Sequence, residues 1–141
     1  MVRSSSITVV IKDLNRLLGV VMSSVATNVT MRLREQPPGT AFGTPVDTGW
    51  ASSNWLPTLD RQVTAPTGSK KAVSTAESDQ GLAALKSFKY RPDAVIYVTN
   101  NVPYITELNQ GYSRQQPRGF VQRAITQAMT TDLIGELRRY A

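Results

Sequence analysis

The chain has 141 residues, of which 40% are hydrophobic and 18% are charged, and its net charge is +6. This length and composition fit a single domain over residues 1–141 and exclude a disordered charged tail; the basic excess suits either a polyanionic partner such as nucleic acid or an ordinary basic surface. Because cysteine and histidine are absent, the sequence excludes disulfides, zinc sites of the Cys/His kind, and a Cys or His nucleophile or base.

The first predicted element is a long helix over residues 4–34, with serines at 4–6 able to cap its start. Residues 20–31 are rich in β-branched side chains and threonine, so we expect the helix to bend or loosen there, with a strand as the alternative. No apolar run reaches the roughly 20 residues of a membrane span or forms a signal-peptide core, and we expect a soluble protein. The apolar stripe of this helix consists of Ile7, Val10, Ile11, Leu14, Leu17, Leu18, Val21, Met22, Val25 and Val29.

The rest of the chain predicts short elements and a second long helix. Asp47 and Thr48 can cap a helical turn, Pro57 is confined to an edge strand or a break, and Gly81 weakens a predicted helix. Residues 93–99 are nearly all apolar or aromatic, which predicts a strand buried on both faces. Between the two long helices we first predict an irregular connection at 36–44, a turn containing Trp50 and Ala51, an extended segment at 54–65 and a mobile polar loop at 66–73. A helix at 74–88, a strand at 93–99 and a short helix from Pro103 to a left-handed Gly111 follow. The last predicted element is the helix at 120–140.

This order predicts an α+β domain in which a small, mainly antiparallel sheet is packed by the long N-terminal and C-terminal helices, with extended loops between elements. The sequence has no internal repeat and no linker long enough to separate two domains. The predicted apolar face of the last helix consists of Phe120, Val121, Ala124, Ile125, Ala128, Met129, Leu133 and Leu137.

The sequence offers little for catalysis. Among its ten carboxylates, Glu77 and Asp79 are the closest pair, and their spacing places them on different faces of a helix. An S-x-x-K motif and a phosphate-binding G-x-x-x-x-G-K-[ST] loop are both absent. We therefore expect no enzyme activity, no cofactor and no metal.

Basic residues form two groups in the sequence. Lys70, Lys71, Lys86 and Lys89, with Arg91, have few acids among them, and Arg114, Arg118 and Arg123 have none. The first four are candidates for contact with DNA phosphates in a channel, without base recognition, because no helix-turn-helix or finger motif is present. The alternative is that these cations lie on solvated loops and helix ends without a partner role.

Large aromatic residues are candidates either for the core or for an interface with a partner. Trp50 and Tyr112 lie beside glycines and polar loops, so they are the better candidates for interface anchors. The full set of predicted interface residues is Asp47, Trp50, Trp55, Tyr104, Tyr112, Arg114, Arg118 and Phe120.

Two segments, TPVDTGWASSNW (44–55) and NNVPYITELNQGYSRQQPRGFVQRAI (100–125), resemble the neck or tail-completion proteins of tailed bacteriophages. In that family a Pro-Val-Asp-Thr-Gly stretch follows a long N-terminal helix, and a strand is followed by Asn-Asn, Pro-Tyr, an acidic-x-x-Gly turn, a basic loop and a C-terminal helix. Family members often carry an arginine-rich turn where this chain has residues 50–53, which argues against a basic, lumen-facing role for this segment. The matching residues are Pro45, Val46, Asp47, Thr48, Gly49, Asn101, Pro103, Tyr104, Gly111, Arg114, Pro117 and Gly119.

The resemblance implies a virion structural protein of the head–tail junction. Such proteins form rings, commonly six-fold, that join the portal side to the tail tube around the DNA channel; the neighbours would be connector or stopper proteins and a tail terminator or tail tube protein. We expect the loops at 36–46 and 64–75 to act as arms that become ordered on neighbouring subunits, because alone they have little to bury. The alternatives are a nonspecific DNA-binding protein outside any virion and, as a third hypothesis, a small hydrolase.

Overall fold

A helix of 32 residues, α1 (Ser4–Glu35), is the longest element in the computed structural model. The structure describes residues 4–35, 43–46, 48–113 and 115–140, with side chains for 13–34, 43–46, 48–113 and 115–139. The predicted N-terminal helix is confirmed and is unbroken over 20–31, so the strand alternative is wrong. Packing overrides local propensity here: Ala26, Val29 and Leu33 are buried, and the Thr30 hydroxyl donates to Ala26 O at 2.8 Å within the helix.

The predicted short elements are also present. The turn containing Trp50 is a short helix, and the polar loop at 66–73 contains neither helix nor strand. The prediction for residues 36–42 lies outside the described residues. The elements are α2 (Trp50–Ser53), β1 (Leu56–Leu59), α3 (Ala76–Lys86), β2 (Ile96–Thr99) and α4 (Ile105–Asn109).

The two strands pair antiparallel, with Leu56 opposite Thr99 and Leu59 opposite Ile96. The sheet of the described residues has two strands, so each is an edge strand, and Pro57 occupies the edge position that its missing N–H requires. The prediction that the second strand is buried on both faces is wrong, because all four residues of β2 are half-buried and the preceding Val95 is 44% exposed.

The C-terminal helix is continuous but contains a π-helical turn that the sequence did not predict. It consists of α5 (Phe120–Gln127), the π turn Ala128–Asp132 and α6 (Leu133–Tyr140). At the end of the π turn, Asp132 accepts two hydrogen bonds from Arg32 of α1, at 2.6 Å from Nε and 2.5 Å from the guanidinium Nη2.

The core lies where α1, the residue before β1 and the C-terminal helix meet. Its central cluster consists of Val29, Leu33, Trp55, Phe120, Ala124 and Ala128. Two members of the predicted apolar face are exposed: Ile125 at 39% and Met129 at 58%. The α+β class, with helices around a small antiparallel sheet, is confirmed. Among the described residues, no helix combines the length and hydropathy that crossing a bilayer requires.

Candidate functional site

The two segments that carry the family resemblance pack against each other. Val46 N–H donates to the Gln115 side-chain oxygen at 2.7 Å, and the Gln115 amide donates back to Val46 O at 2.8 Å. A side-chain amide thus pairs with the backbone of residue 46 as a neighbouring strand would. We call the resulting surface the motif surface; it surrounds a cavity of about 80 Å³ and consists of Pro45, Val46, Thr48, Gly49, Trp50, Ala51, Tyr104, Leu108, Ser113 and Gln115.

Aromatic packing holds the motif surface together. The rings of Trp50 and Tyr104 meet edge to face, with centroids 6.0 Å apart and an interplanar angle of 60°. The Lys70 ammonium lies 5.0 Å from the centroid of the Tyr104 ring, within the range of a cation–π interaction. Two predicted interface residues and one predicted DNA-contacting lysine therefore form a single cluster.

The loop after β1 is fastened to the same surface through Asn54. This fully buried amide donates to the carbonyls of Trp50 (2.8 Å) and Thr67 (3.0 Å), and its oxygen accepts from Thr67 N–H at 2.8 Å. The indole N–H of Trp50 also donates to Thr67 O, at 3.0 Å. Most of residues 64–75 are exposed, in line with the expectation that this loop has little to bury, and the Thr67 backbone ties the loop to the motif surface.

The described part of the other expected arm is also packed. Thr44 is 1% exposed; its hydroxyl donates to Leu33 O at 2.6 Å and its N–H to the same carbonyl at 3.2 Å. These bonds satisfy a carbonyl at the end of α1 that has no partner within the helix. Residues 43–45 are buried, so the part of the 36–46 arm that the structure describes is not free.

A tight turn presents Tyr112 to solvent. After α4, Gly111 has φ +94°, as predicted; its N–H donates to Leu108 O and the Tyr112 N–H donates to Glu107 O, both at 3.2 Å. This pair of bonds is a Schellman motif, which requires the left-handed conformation that glycine adopts without strain. The Tyr112 side chain is 76% exposed and Val46 is 41% exposed, so apolar and aromatic area remains open here.

Two predicted interface residues lie in the core instead. Trp55 is 5% exposed, and its indole N–H donates to the Thr44 hydroxyl at 2.8 Å. Its carbonyl accepts from the Ser78 hydroxyl at 2.7 Å, so Trp55 connects the chain after α1 with α3. Phe120 is fully buried. Neither side chain is on the surface of the folded chain, and the core interpretation of Trp55 is confirmed.

Of the remaining predicted interface residues, the structure describes Arg118 but neither Asp47 nor Arg114. Arg118 is exposed beside Gly111. Arg123 has a structural role, because its guanidinium donates to the carbonyls of Arg118 at 2.7 Å and Pro117 at 3.3 Å. It therefore stabilises the loop that carries Arg118.

The basic residues that cluster in sequence separate in space. Lys70 and Lys71 belong to the loop beside the motif surface, whereas Lys86 and Lys89 line a different cavity, of about 350 Å³, with Arg16 of α1. Arg91 belongs to neither group, since it forms ion pairs with Asp60 and Asp93.

Two aspartates have perturbed ionisation, and both are structural. Hydrogen bonds from Val95 N–H and from the Arg91 guanidinium lower the pKa of Asp60, which follows β1 at φ +62°. Hydrogen bonds from Arg34 and Thr75 lower the pKa of Asp79 in the first turn of α3. Each favours the charged form and ties two elements together.

Sequence reasoning missed the polar residues that hold the motif surface together. Asn54 and Gln115 lie inside the two resembling segments but are not among their matching residues, Thr67 lies outside both segments, and their partners are up to 69 residues away. The available signal is residue type: asparagine and threonine in loops often bond to nearby backbone, and Thr67 stands between Pro66 and Gly68.

Among the described residues, no three carboxylates lie close enough together to hold a metal ion. No family model, no curated protein and no solved structure matches this chain. The function proposed below therefore rests on the residues and geometry of this chain.

Proposed function

We propose that this chain is a virion structural protein of the head–tail junction of a tailed bacteriophage. It would form a homo-oligomeric ring, hexameric by analogy with the family it resembles, between the portal side and the tail tube, around the DNA channel. The observation that carries the proposal is that the two resembling segments, 44–55 and 100–125, form one surface in space. Enzyme activity, a cofactor and a membrane have no part in it.

The motif surface has features expected of a protein interface. Trp50 and Tyr104 are held rigidly by each other and by bonds to the loop, so little conformational entropy would be lost when a partner binds. The exposed Tyr112 and Val46 supply aromatic and apolar area around them. Aromatic side chains on a rigid support are typical interface anchors.

A ring requires that each subunit present two different, complementary surfaces to its neighbours. The motif surface would be one of them. Its partners would be a second copy of this chain or the adjoining connector, stopper, tail terminator or tail tube protein. The ring would be made and assembled in the host cytoplasm and remain in the virion.

The first experiment is electron microscopy of lysates from a phage with a stop codon early in this gene. We expect DNA-filled heads and separate, unattached tails, and a plasmid copy of the gene should restore joined particles. Intact infectious particles without the protein would rule out the connector.

Complementation with point variants tests the surface itself. Tyr112→Ala and Arg118→Glu should fold normally and fail to restore joined particles, because both side chains are exposed at or beside the motif surface. Met129→Ala is the matched control, since it truncates a side chain that is 58% exposed on a different element. Equal particle yields from Tyr112→Ala and Met129→Ala would contradict the assignment of this surface.

The alternative function is nonspecific DNA binding outside the virion. The observation that favours this alternative is the cavity lined by three cations: Arg16 of α1, Lys86 at the end of α3 and Lys89 just after it. It predicts tight, salt-dependent DNA binding by the free monomer, whereas a connector binds weakly as a monomer and gains from the ring. Binding isotherms at two salt concentrations separate the two functions.

A further inference from the structure

A cleft between α1 and the end of α3 concentrates positive charge away from the motif surface. We define the basic cleft by Arg16 on one wall and Lys86 and Lys89 on the other, with Gly19 and Tyr90 in its lining. Its volume is about 350 Å³. Residue 16 and residues 86–89 are about 70 positions apart in sequence, so folding creates this concentration of charge.

Gly19 allows the two walls to approach each other. A Cβ at this position of α1 would lie 3.2 Å from Tyr90 N, which is closer than most Cβ contacts, and 3.6 Å from Tyr90 Cβ, which is an ordinary contact. Any larger residue would push the segment after α3 away from α1. The glycine therefore brings Lys89, next to Tyr90, close to the face of α1 that carries Arg16.

The charges of the cleft are little compensated. None of the ion pairs formed by the described residues includes Lys86 or Lys89. Arg16 pairs with Asp13 at 3.5 Å, but both side chains are more than 60% exposed, and such pairs contribute little and exchange readily. All three cations can therefore turn toward an anion.

The negative end of α3 is also partly neutralised. The carbonyl of Ala84 accepts from the Ser87 N–H and hydroxyl, and the carbonyl of Leu85 accepts from Phe88 N–H. These bonds occupy acceptors that would otherwise repel an anion at this helix end. This helix end therefore opposes an anion less than one with free carbonyls would.

We propose that the basic cleft binds the phosphodiester backbone of double-stranded DNA without reading its sequence. Lysine and arginine side chains that line a groove are the chemistry of phosphate neutralisation, and the sequence carries no helix-turn-helix or finger motif that would read bases. Lys70 and Lys71 are not part of this site, because they belong to the loop beside the motif surface. The cleft would serve either function considered above, because the DNA-binding alternative needs tight binding by the free monomer and a connector needs only weak contacts that add up around a ring.

The test measures binding of the purified full-length chain to a labelled DNA duplex of random sequence by fluorescence anisotropy. A duplex of about 30 base pairs, or roughly three helical turns, is long enough to span the cleft. The key variant is Lys86→Gln/Lys89→Gln, and Lys70→Gln/Lys71→Gln is the control with the same net charge. The slope of log affinity against log salt should fall by about 1.8 in the first variant and stay unchanged in the control, since each phosphate contact contributes about 0.9. Between 50 and 200 mM salt, the wild type should therefore lose about tenfold more affinity than Lys86→Gln/Lys89→Gln.

Arg16→Gln is a second, single-charge variant and should lower the slope by about 0.9. Thermal melting of each variant checks that the exposed substitutions leave the fold intact. Equal losses from the two lysine pairs would mean that general charge, not the cleft, attracts DNA, and the proposal would be overturned. An absence of wild-type binding at 50 mM salt would overturn it as well. Particles that join normally with Lys86→Gln/Lys89→Gln, together with reduced DNA binding, would support the cleft and leave the connector proposal intact.

Discussion

Gly81 lies where α3 packs against β1, and its missing side chain makes that contact possible. A Cβ at this position would lie 2.2 Å from Pro57 O and 2.9 Å from Pro57 Cγ, so the backbone of β1 would have to move. In the sequence, Gly81 indicates only a weak helix position. In the structure it is the residue that sets the distance between α3 and the sheet.

Replacing Gly81 by alanine should therefore destabilise the protein by about 1–3 kcal/mol, because overpacking outweighs the gain in helix propensity. Gly135→Ala is the matched control in α6, where a Cβ would have no neighbour within 4 Å. That variant should be neutral or up to about 1 kcal/mol more stable. Urea unfolding of both variants measures the difference, and a stabilised Gly81→Ala would show that α3 does not pack in this way.

Substitutions of Trp55 and Tyr112 are expected to distinguish an effect on folding from an effect on head–tail joining. Trp55→Ala should lower the free energy of unfolding by about 3–5 kcal/mol, because it removes a buried aromatic side chain and leaves the Thr44 hydroxyl without its donor. Tyr112→Ala should change it by less than about 0.5 kcal/mol, because the side chain is 76% exposed. Denaturant titrations test both, and similar losses in the two variants would contradict the burial described here.

The sequence could not distinguish these two aromatics by type. Trp55 and Phe120 stand next to loops in the sequence, as Trp50 and Tyr112 do, and aromatic side chains are common both in cores and at interfaces. Their burial depends on Leu33, Val29 and Ala124, which belong to elements distant along the chain. Local pattern carries no information on such contacts.

The π turn of the C-terminal helix ends in a long-range contact with α1. Asp132 ends the turn and holds Arg32 of α1 through two hydrogen bonds, with the two side chains 15% and 22% exposed. The extra residue of a π turn shifts the register of the following helix, so α6 starts on a different face from the one that a regular helix would give.

Asp132→Asn should cost about 1.5–3 kcal/mol, the range for hydrogen bonds to charged groups. The loss should be specific to the contact with α1, so hydrogen exchange should rise over residues 128–140 more than over α3. Glu136→Gln, which breaks an ion pair with the exposed Arg139 at 3.3 Å, is the control and should cost about 0–1 kcal/mol. Similar losses from the two substitutions would contradict the proposed role of Asp132.

The type and order of the helices and strands could be predicted from the sequence better than the burial of their residues. Apolar spacing identified α1 and the C-terminal helix, and Pro57 identified an edge strand. The apolar run at 93–99 failed as a predictor of burial, because a strand is buried on both faces only when elements cover both, and this sheet has two strands in the described chain. Runs of Val, Ile and Tyr report strand propensity without reporting the size of the sheet.

For the whole molecule, two carboxylates make stability depend on pH. The pKa values of Asp60 and Asp79 are lowered in the folded chain, so the unfolded chain binds more protons when the pH is near their ordinary values. Their contribution to stability is therefore complete above about pH 5 and is lost as the pH falls through about 4 and below.

Urea unfolding at several pH values between 3 and 7 (a range set by the ordinary aspartate pKa of about 3.9) tests this linkage. The free energy of unfolding of the wild type should decrease toward low pH. In the double variant Asp60→Asn/Asp79→Asn it should start lower at pH 7 and decrease less. A double variant with the same pH slope as the wild type would show that these two groups do not couple protonation to folding.

For the molecule as a whole, the sequence does not show which distant segments contact each other. The α+β class follows from element order, and each resembling segment is visible in the sequence. Their meeting is not visible, because it depends on Gln115, which bonds to the backbone of Val46, and on the contact between the rings of Trp50 and Tyr104. The separation of Lys70 and Lys71 from Lys86 and Lys89 has the same origin, since the connecting loop turns back on the chain.

The two tryptophans occupy environments that respond to different events. Trp55 is sealed in the core with its indole N–H bonded to Thr44, and Trp50 is half-buried at the motif surface with its indole N–H bonded to Thr67 O. Because tryptophan emission depends on solvent and on neighbouring rings, the chain contains two intrinsic optical probes: one follows unfolding, and the other would follow subunit docking. The absence of cysteine leaves any surface position open to a single thiol-coupled dye, so energy transfer from Trp50 could follow ring closure in real time.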